Sequence, residues 1–148
     1  MQCRKCLKSF RLHEDLKDHI EDNECVVNEN MLSAVFEKQK QYMDMLVDAG
    51  KLSKYPLDLT SKEGQLQFKL IAFATIEELM EASFTLKNKQ HRVSDDTTFD
   101  EKHFREEIID TFSFLIELCI LAGIDHNSLY EGYIEKNAVV KKRFADGY

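Results

Sequence analysis

Ile76-Glu77-Glu78-Leu79-Met80-Glu81-Ala82, answered downstream by Glu107-Ile108-Ile109-Asp110, is the pattern on which the fold turns. Each stretch sets two carboxylates three residues apart, which on a helix puts them on one face within reach of a single ligand. At about 100° per residue, Glu78 and Glu81 share a face with Ile71, Ala74, Ala82 and Thr85, while Phe68, Ala72, Phe73, Ile76, Leu79, Met80 and Leu86 cover the other sides. A helix that is apolar nearly all round is expected to be buried. The second pair sits among Phe104, Thr111, Phe114, Leu118 and Leu121, with Ile108, Ile109, Phe112, Leu115 and Ile116 around it. The pattern therefore predicts Glu78, Glu81, Glu107 and Asp110 held inside a core.

Buried carboxylates are costly unless paired, protonated or bound to metal. Too few cations lie on these faces to pair with four acids, so a hard divalent cation is the expected resolution. Oxygen-only ligands suit magnesium or manganese rather than zinc.

Composition bounds the rest. A chain of 148 residues can bury one good core and carry a small appendage. Its formal charge of −7 disfavours nonspecific binding to nucleic acid or to an anionic membrane. No apolar run is long enough to span a membrane, and Met1 to Phe10 holds no signal-peptide core, so a soluble, cytoplasmic protein is expected, in a host cell if virus-encoded. One proline, five glycines and few β-branched runs point to an all-α chain.

Residues 1–27 have a different character. Cys3, Cys6, Phe10, Leu16, His19 and Cys25 give C-x2-C-x3-F-x5-L-x2-H-x5-C, the spacing of a small ββα zinc finger with cysteine in place of the last histidine. Cys3, Cys6, His19 and Cys25 are the expected ligands of a structural zinc ion, because Phe10 and Leu16 form a core too small to fold without metal. The helix region carries Glu14, Asp15, Asp18, Glu21, Asp22 and Glu24. A basic DNA-reading face is missing, which favours a structural role or contact with a protein partner.

Residues 28–148 are read as one helical domain. Asn28 or Asn30 caps a helix through Leu32, Val35, Phe36, Gln39, Tyr42, Met43 and Leu46 that ends at Gly50. Thr60-x-x-Glu63 is expected to form a capping box for the long helix bearing Glu78 and Glu81, which fades near Lys89. Thr98-x-x-Glu101 is expected to open the helix of Glu107 and Asp110, which stops at Gly123, and Asp125 to cap a last helix reaching about Phe144. On that helix Lys136, Val140 and Arg143 recur with Tyr130, Tyr133 and Asn137 beside them, a basic, aromatic and amide-bearing face suited to a nucleotide or, more plainly, to solvent. Cys119 reads as a buried small hydrophobe, and Glu117 as either an outer carboxylate of the metal site or an exposed residue.

Glu78-x-x-Glu81, a gap of 25 residues and Glu107-x-x-Asp110 resemble the metal signature of the all-α nucleoside triphosphate pyrophosphohydrolases, the superfamily that joins the MazG proteins and the dimeric dUTPases. The run from Tyr133 through Lys136, Asn137, Val140, Arg143 and Phe144 to Gly147-Tyr148 is similar to the K-N-x-V-N-x-x-R-Q-x-x-G-Y ending of the dimeric dUTPases and their phage relatives. The resemblance covers Met31 to Tyr148 and leaves out the finger. It implies a helical bundle of that type, magnesium on Glu78, Glu81, Glu107 and Asp110, and a homodimer or higher homo-oligomer. It further implies that Lys136, Asn137 and Arg143, with Tyr133 beside them, contact phosphates or sugar, and that Gln39 approaches the substrate. Val140 and Phe144 stand where the family has asparagine and glutamine, and Lys89-Gln90-His91 replaces its tryptophan. The expected activity is hydrolysis of a deoxynucleoside triphosphate, dUTP foremost, to the monophosphate and pyrophosphate. A MazG-type purine substrate, dGTP or dATP, is the first alternative, and a non-catalytic zinc-finger interaction module is the second.

Overall fold

The computed structural model describes residues 31–147 apart from Gln90 and Thr97. The expected finger, with Cys3, Cys6, His19 and Cys25, lies outside the described residues, as do the capping candidates Asn28 and Asn30. The chain divides into two units, Met1–Val35 and Phe36–Tyr148.

The described residues form four helices and no strand: α1 (Met31–Asp48), α2 (Lys62–Thr85), α3 (Glu101–Leu121) and α4 (His126–Ala145). The all-α expectation holds. Glycine ends α1 as the sequence suggests: Gly50 adopts φ 68°, and the Lys51 N–H turns back to the carbonyl of Leu46 at 2.8 Å.

Both expected capping boxes are displaced by one device. Asp58 Oδ1 accepts from the Thr60 N–H at 2.9 Å and from its hydroxyl at 2.6 Å, so Ser61 caps α2 by accepting from Gly64 at 3.0 Å. Asp96 Oδ1 accepts from the N–H and hydroxyl of Thr98 in the same way, and Asp100 caps α3 by accepting from His103 at 3.0 Å. An aspartate two residues ahead thus takes each threonine into its own turn and moves the helix start onward. Asp125 caps α4 as expected, accepting from Ser128 at 2.8 Å. At the other end α2 stops at Thr85 rather than near Lys89, with Leu86 extended. The polar stretch beyond bonds locally, Asn88 accepting from the Ser94 N–H at 2.8 Å.

Packing centres on α2 and α3, which lie side by side and antiparallel, so that Gln67 and Ile71 approach Leu121 while Glu81 and Thr85 approach Asp100 and His103. The Leu57 N–H donates to Leu121 at 2.8 Å and ties the α1–α2 connection to the end of α3. In α1, Phe36 and Met43 are fully buried on either side of Gln39, and Phe36 meets His126 edge to face. Ile116, Cys119, Ile120 and Leu121 complete the core, which confirms Cys119 as a buried group; burial pushes its thiol above the usual range.

One expectation is corrected. Helix α2 is not covered all round: only Gly64 and Ala82 are buried in it, and Leu70, Phe73 and Phe84 remain largely exposed. A single chain offers α2 one full neighbour, α3, so only one side of an all-round apolar helix is covered.

Gly64 shows how closely α2 begins against the preceding turn. A Cβ there would overlap the backbone carbonyl of Asp58. Alanine gains about 1 kcal/mol over glycine in helix propensity, but overpacking against backbone costs roughly 1–3 kcal/mol. Gly64→Ala is therefore expected to lower the urea midpoint, and an unchanged or higher midpoint would contradict this packing.

Candidate metal centre

The antiparallel pairing of α2 and α3 brings Glu78 opposite Glu107 and Asp110. One carboxylate oxygen from each of these three lies within 4.8 Å of the other two. The i, i+3 spacing of Glu107 and Asp110 puts both on the face of α3 that meets α2. The expectation that all four acids lie inside a core is corrected here. Glu107 is buried and Glu78 half-buried, whereas Glu81 and Asp110 are exposed. Glu81 falls outside the close trio, although its charge reaches Glu78.

Charge is poorly balanced around this cluster. Among the described residues no lysine or arginine forms an ion pair with Glu78, Glu81, Glu107 or Asp110. Among the described residues the basic side chain paired with the cluster is His103, whose Nε2 lies 3.4 Å from Glu107 Oε1 and which is half exposed. Glu78 consequently holds its proton above the ordinary carboxylate range, through desolvation first, then a hydrogen bond shared with Glu107, then the charges of Glu81, Asp110 and Glu107. The donor set is oxygen only and acidic, with a buried member at its base. Oxygen donors of this kind suit a hard divalent cation.

Two clefts flank the cluster. One, of about 670 Å³, is lined by Glu81, Phe84, Lys87, Phe99, Asp100 and His103 among others. The other, of about 310 Å³, is lined by Gln39, Tyr42, Asp110, Ser113, Phe114 and Glu117. Gln39 thus shares this cleft with Asp110 of the acidic centre. The other residues expected to touch substrate lie elsewhere: Tyr133, Lys136 and Arg143 are exposed on α4 and Asn137 is half-buried, and none of them lines either cleft.

One residue beside the centre, His103, is not marked by the acidic pattern. His103 precedes Glu107 by one helical turn, an i, i+4 relation that the sequence does contain. Glu117, which the sequence left between an outer carboxylate and an exposed residue, is buried and accepts a hydrogen bond from Gln39 Nε2 at 3.3 Å. Its partner is on α1, 78 positions away, and no local spacing signals it.

No family model, curated protein or solved structure matches this chain. No helix among the described residues is long and apolar enough to cross a membrane.

The cluster carries its own pH dependence. A carboxyl whose folded pKa exceeds its unfolded value binds more protons in the native state, so stability falls as pH rises from the unfolded value of 4.5 through the raised one. Asp58, Asp96 and Asp125 act in the opposite sense but below 3.8, because hydrogen bonds lower their pKa values. With divalent cations removed, the melting temperature is expected to fall as pH rises from about 4.5 towards neutrality, with buried Glu117, also raised by desolvation, adding to the same slope. Glu78→Gln should flatten that slope, and magnesium or manganese should raise the wild-type melting temperature near neutral pH. A slope unaffected by the substitution would mean that Glu78 does not titrate in the desolvated, acid-flanked setting described.

Proposed function

We propose that this protein is a magnesium- or manganese-dependent nucleoside triphosphate diphosphatase that hydrolyses a deoxynucleoside triphosphate, dUTP foremost, to the monophosphate and pyrophosphate. The observation that carries the reading is the three-carboxylate cluster of Glu78, Glu107 and Asp110, short of basic partners and flanked by two clefts. The sequence resemblance to the all-α nucleoside triphosphate pyrophosphohydrolases supports the same chemistry. A purine triphosphate, dGTP or dATP, is the nearest other substrate, since Val140 and Phe144 depart from the dUTPase pattern.

Glu78, Glu107 and Asp110 would hold the cation, with Glu81 one turn further along α2 available to the same metal or a second one. Such a cation, when bound, supplies charge neutralisation and orientation of the triphosphate and acidifies a water. Glu81, exposed in the larger cleft, is the carboxylate freest to accept the proton of the attacking water. Water oxygen then bonds to one phosphorus of the α–β bridge, the bridging P–O bond to that phosphorus breaks, and the monophosphate and pyrophosphate separate. Lys136, Asn137, Arg143 and Tyr133 would have to reach the substrate by movement of α4 or from a neighbouring subunit.

Homodimerisation belongs to the same proposal. Leu66, Leu70 and Phe73 of α2 and Ile109 and Phe112 of α3 are exposed in the single chain, which is more apolar surface than a monomer ordinarily leaves in water. A structural zinc on Cys3, Cys6, His19 and Cys25 would serve folding of the finger or contact with another protein, apart from the hydrolysis.

Glu107→Gln and Asp110→Asn are each expected to lower magnesium-dependent pyrophosphate release from dUTP or dGTP on the order of a hundredfold or more, with helical circular dichroism retained. Full activity in either variant would remove the metal assignment.

A further inference from the structure

Glu117 is buried to 3% exposure, more completely than Glu107 at 7%. It follows Asp110 by about two helical turns on nearly the same side of α3. Its one hydrogen bond among the described residues comes from Gln39, and no basic residue pairs with it. Desolvation raises its pKa, and the hydrogen bond from Gln39 opposes that only in part. As a purely structural group the carboxyl is a poor choice, because an apolar side chain of similar size would fill the position without the desolvation cost.

The pair opens onto the smaller cleft. Gln39 commits its amide N–H to Glu117 and keeps its carbonyl oxygen; Glu117 keeps its second oxygen. Tyr42 and Phe114 supply aromatic walls, and Asp110 connects this cleft to the acidic cluster. A buried carboxyl is ill suited to meet phosphates, so the cleft suits the uncharged end of a nucleotide whose phosphates lie at the cluster.

We propose that Gln39 and Glu117 together determine base specificity, the Gln39 carbonyl accepting from a ring N–H of the base while the Glu117 carboxyl donates to the adjacent carbonyl oxygen. Bases with an N–H beside a C=O are uracil, thymine and guanine. Cytosine and adenine present an amino group beside a bare ring nitrogen, the inverse pattern, and a buried polar pair left unmatched discriminates strongly. The inference deepens the hydrolase reading and rests on it for the position of the phosphates.

The test is pyrophosphate release from dUTP, dTTP, dGTP, dCTP and dATP by the full chain and by Glu117→Gln, Glu117→Leu and Gln39→Leu. The wild-type protein should favour one or more of the first three over dCTP and dATP by about tenfold or more in kcat/KM. Glu117→Gln, which keeps a donor at the same place, should preserve the preference. Glu117→Leu and Gln39→Leu should collapse it. A wild-type preference for dCTP or dATP, a lack of preference, or an unchanged ratio in Glu117→Leu overturns the proposal while leaving the hydrolase reading intact. Should the wild-type protein release pyrophosphate from none of them, the hydrolase reading falls and the pair is judged by binding alone. A melting temperature raised by dUMP, dTMP or dGMP in the wild-type protein and not in Glu117→Leu then sustains the pair as a base reader, and no shift with any monophosphate overturns it.

Discussion

Glu78 and Glu107 face each other across the seam between α2 and α3, close enough to share a proton, with Asp110 alongside and, among the described residues, no lysine or arginine paired to any of them. Two helices that bury apolar surface against each other have brought like charges together, and the attraction of the seam outweighs the repulsion within it. The repulsion is what gives the site chemical potential: the cluster is relieved by a proton or by a cation. Everything that sets the register of α2 against α3 therefore sets the site as well.

That register depends on short-range devices at the helix starts. Ser61 and Asp100 cap α2 and α3, each preceded by an aspartate that gathers a threonine into a tight turn. The capped ends are joined to the core by the Leu57–Leu121 backbone bond and by the close fit of Gly64 under the Asp58 carbonyl. Small polar motifs of this kind contribute little individually, but they decide where each helix begins and hence which side chains meet across the seam.

Polar and apolar surfaces are distributed unevenly around the seam. The end of α3, from Ile116 to Leu121, is buried apart from half-buried Leu118, and the chain turns at Gly123, whose φ is 75°. The exposed outer side of α2 and, on α4, Tyr130, Tyr133, Ile134 and Phe144 present aromatic and aliphatic groups to the surroundings. In the proposed homodimer a second copy of the chain would cover such a surface.

The sequence by itself determined the all-α class, the approximate limits of the helices and the pairing of acids on α2 and α3. These follow from local rules: side-chain period, caps and the left-handed tolerance of glycine at position 50. It misplaced both N-caps by a residue or two, because an aspartate competing for the threonine hydroxyl is a local alternative that a capping pattern does not rank. Tertiary structure alone decided that Glu107 is buried while Asp110 and Glu81 are exposed, and that Glu117 is buried against Gln39. The reason is physical: periodicity reports which residues share a helix face, but burial and pairing depend on which other face arrives against it, and that is set by packing between segments far apart in the chain.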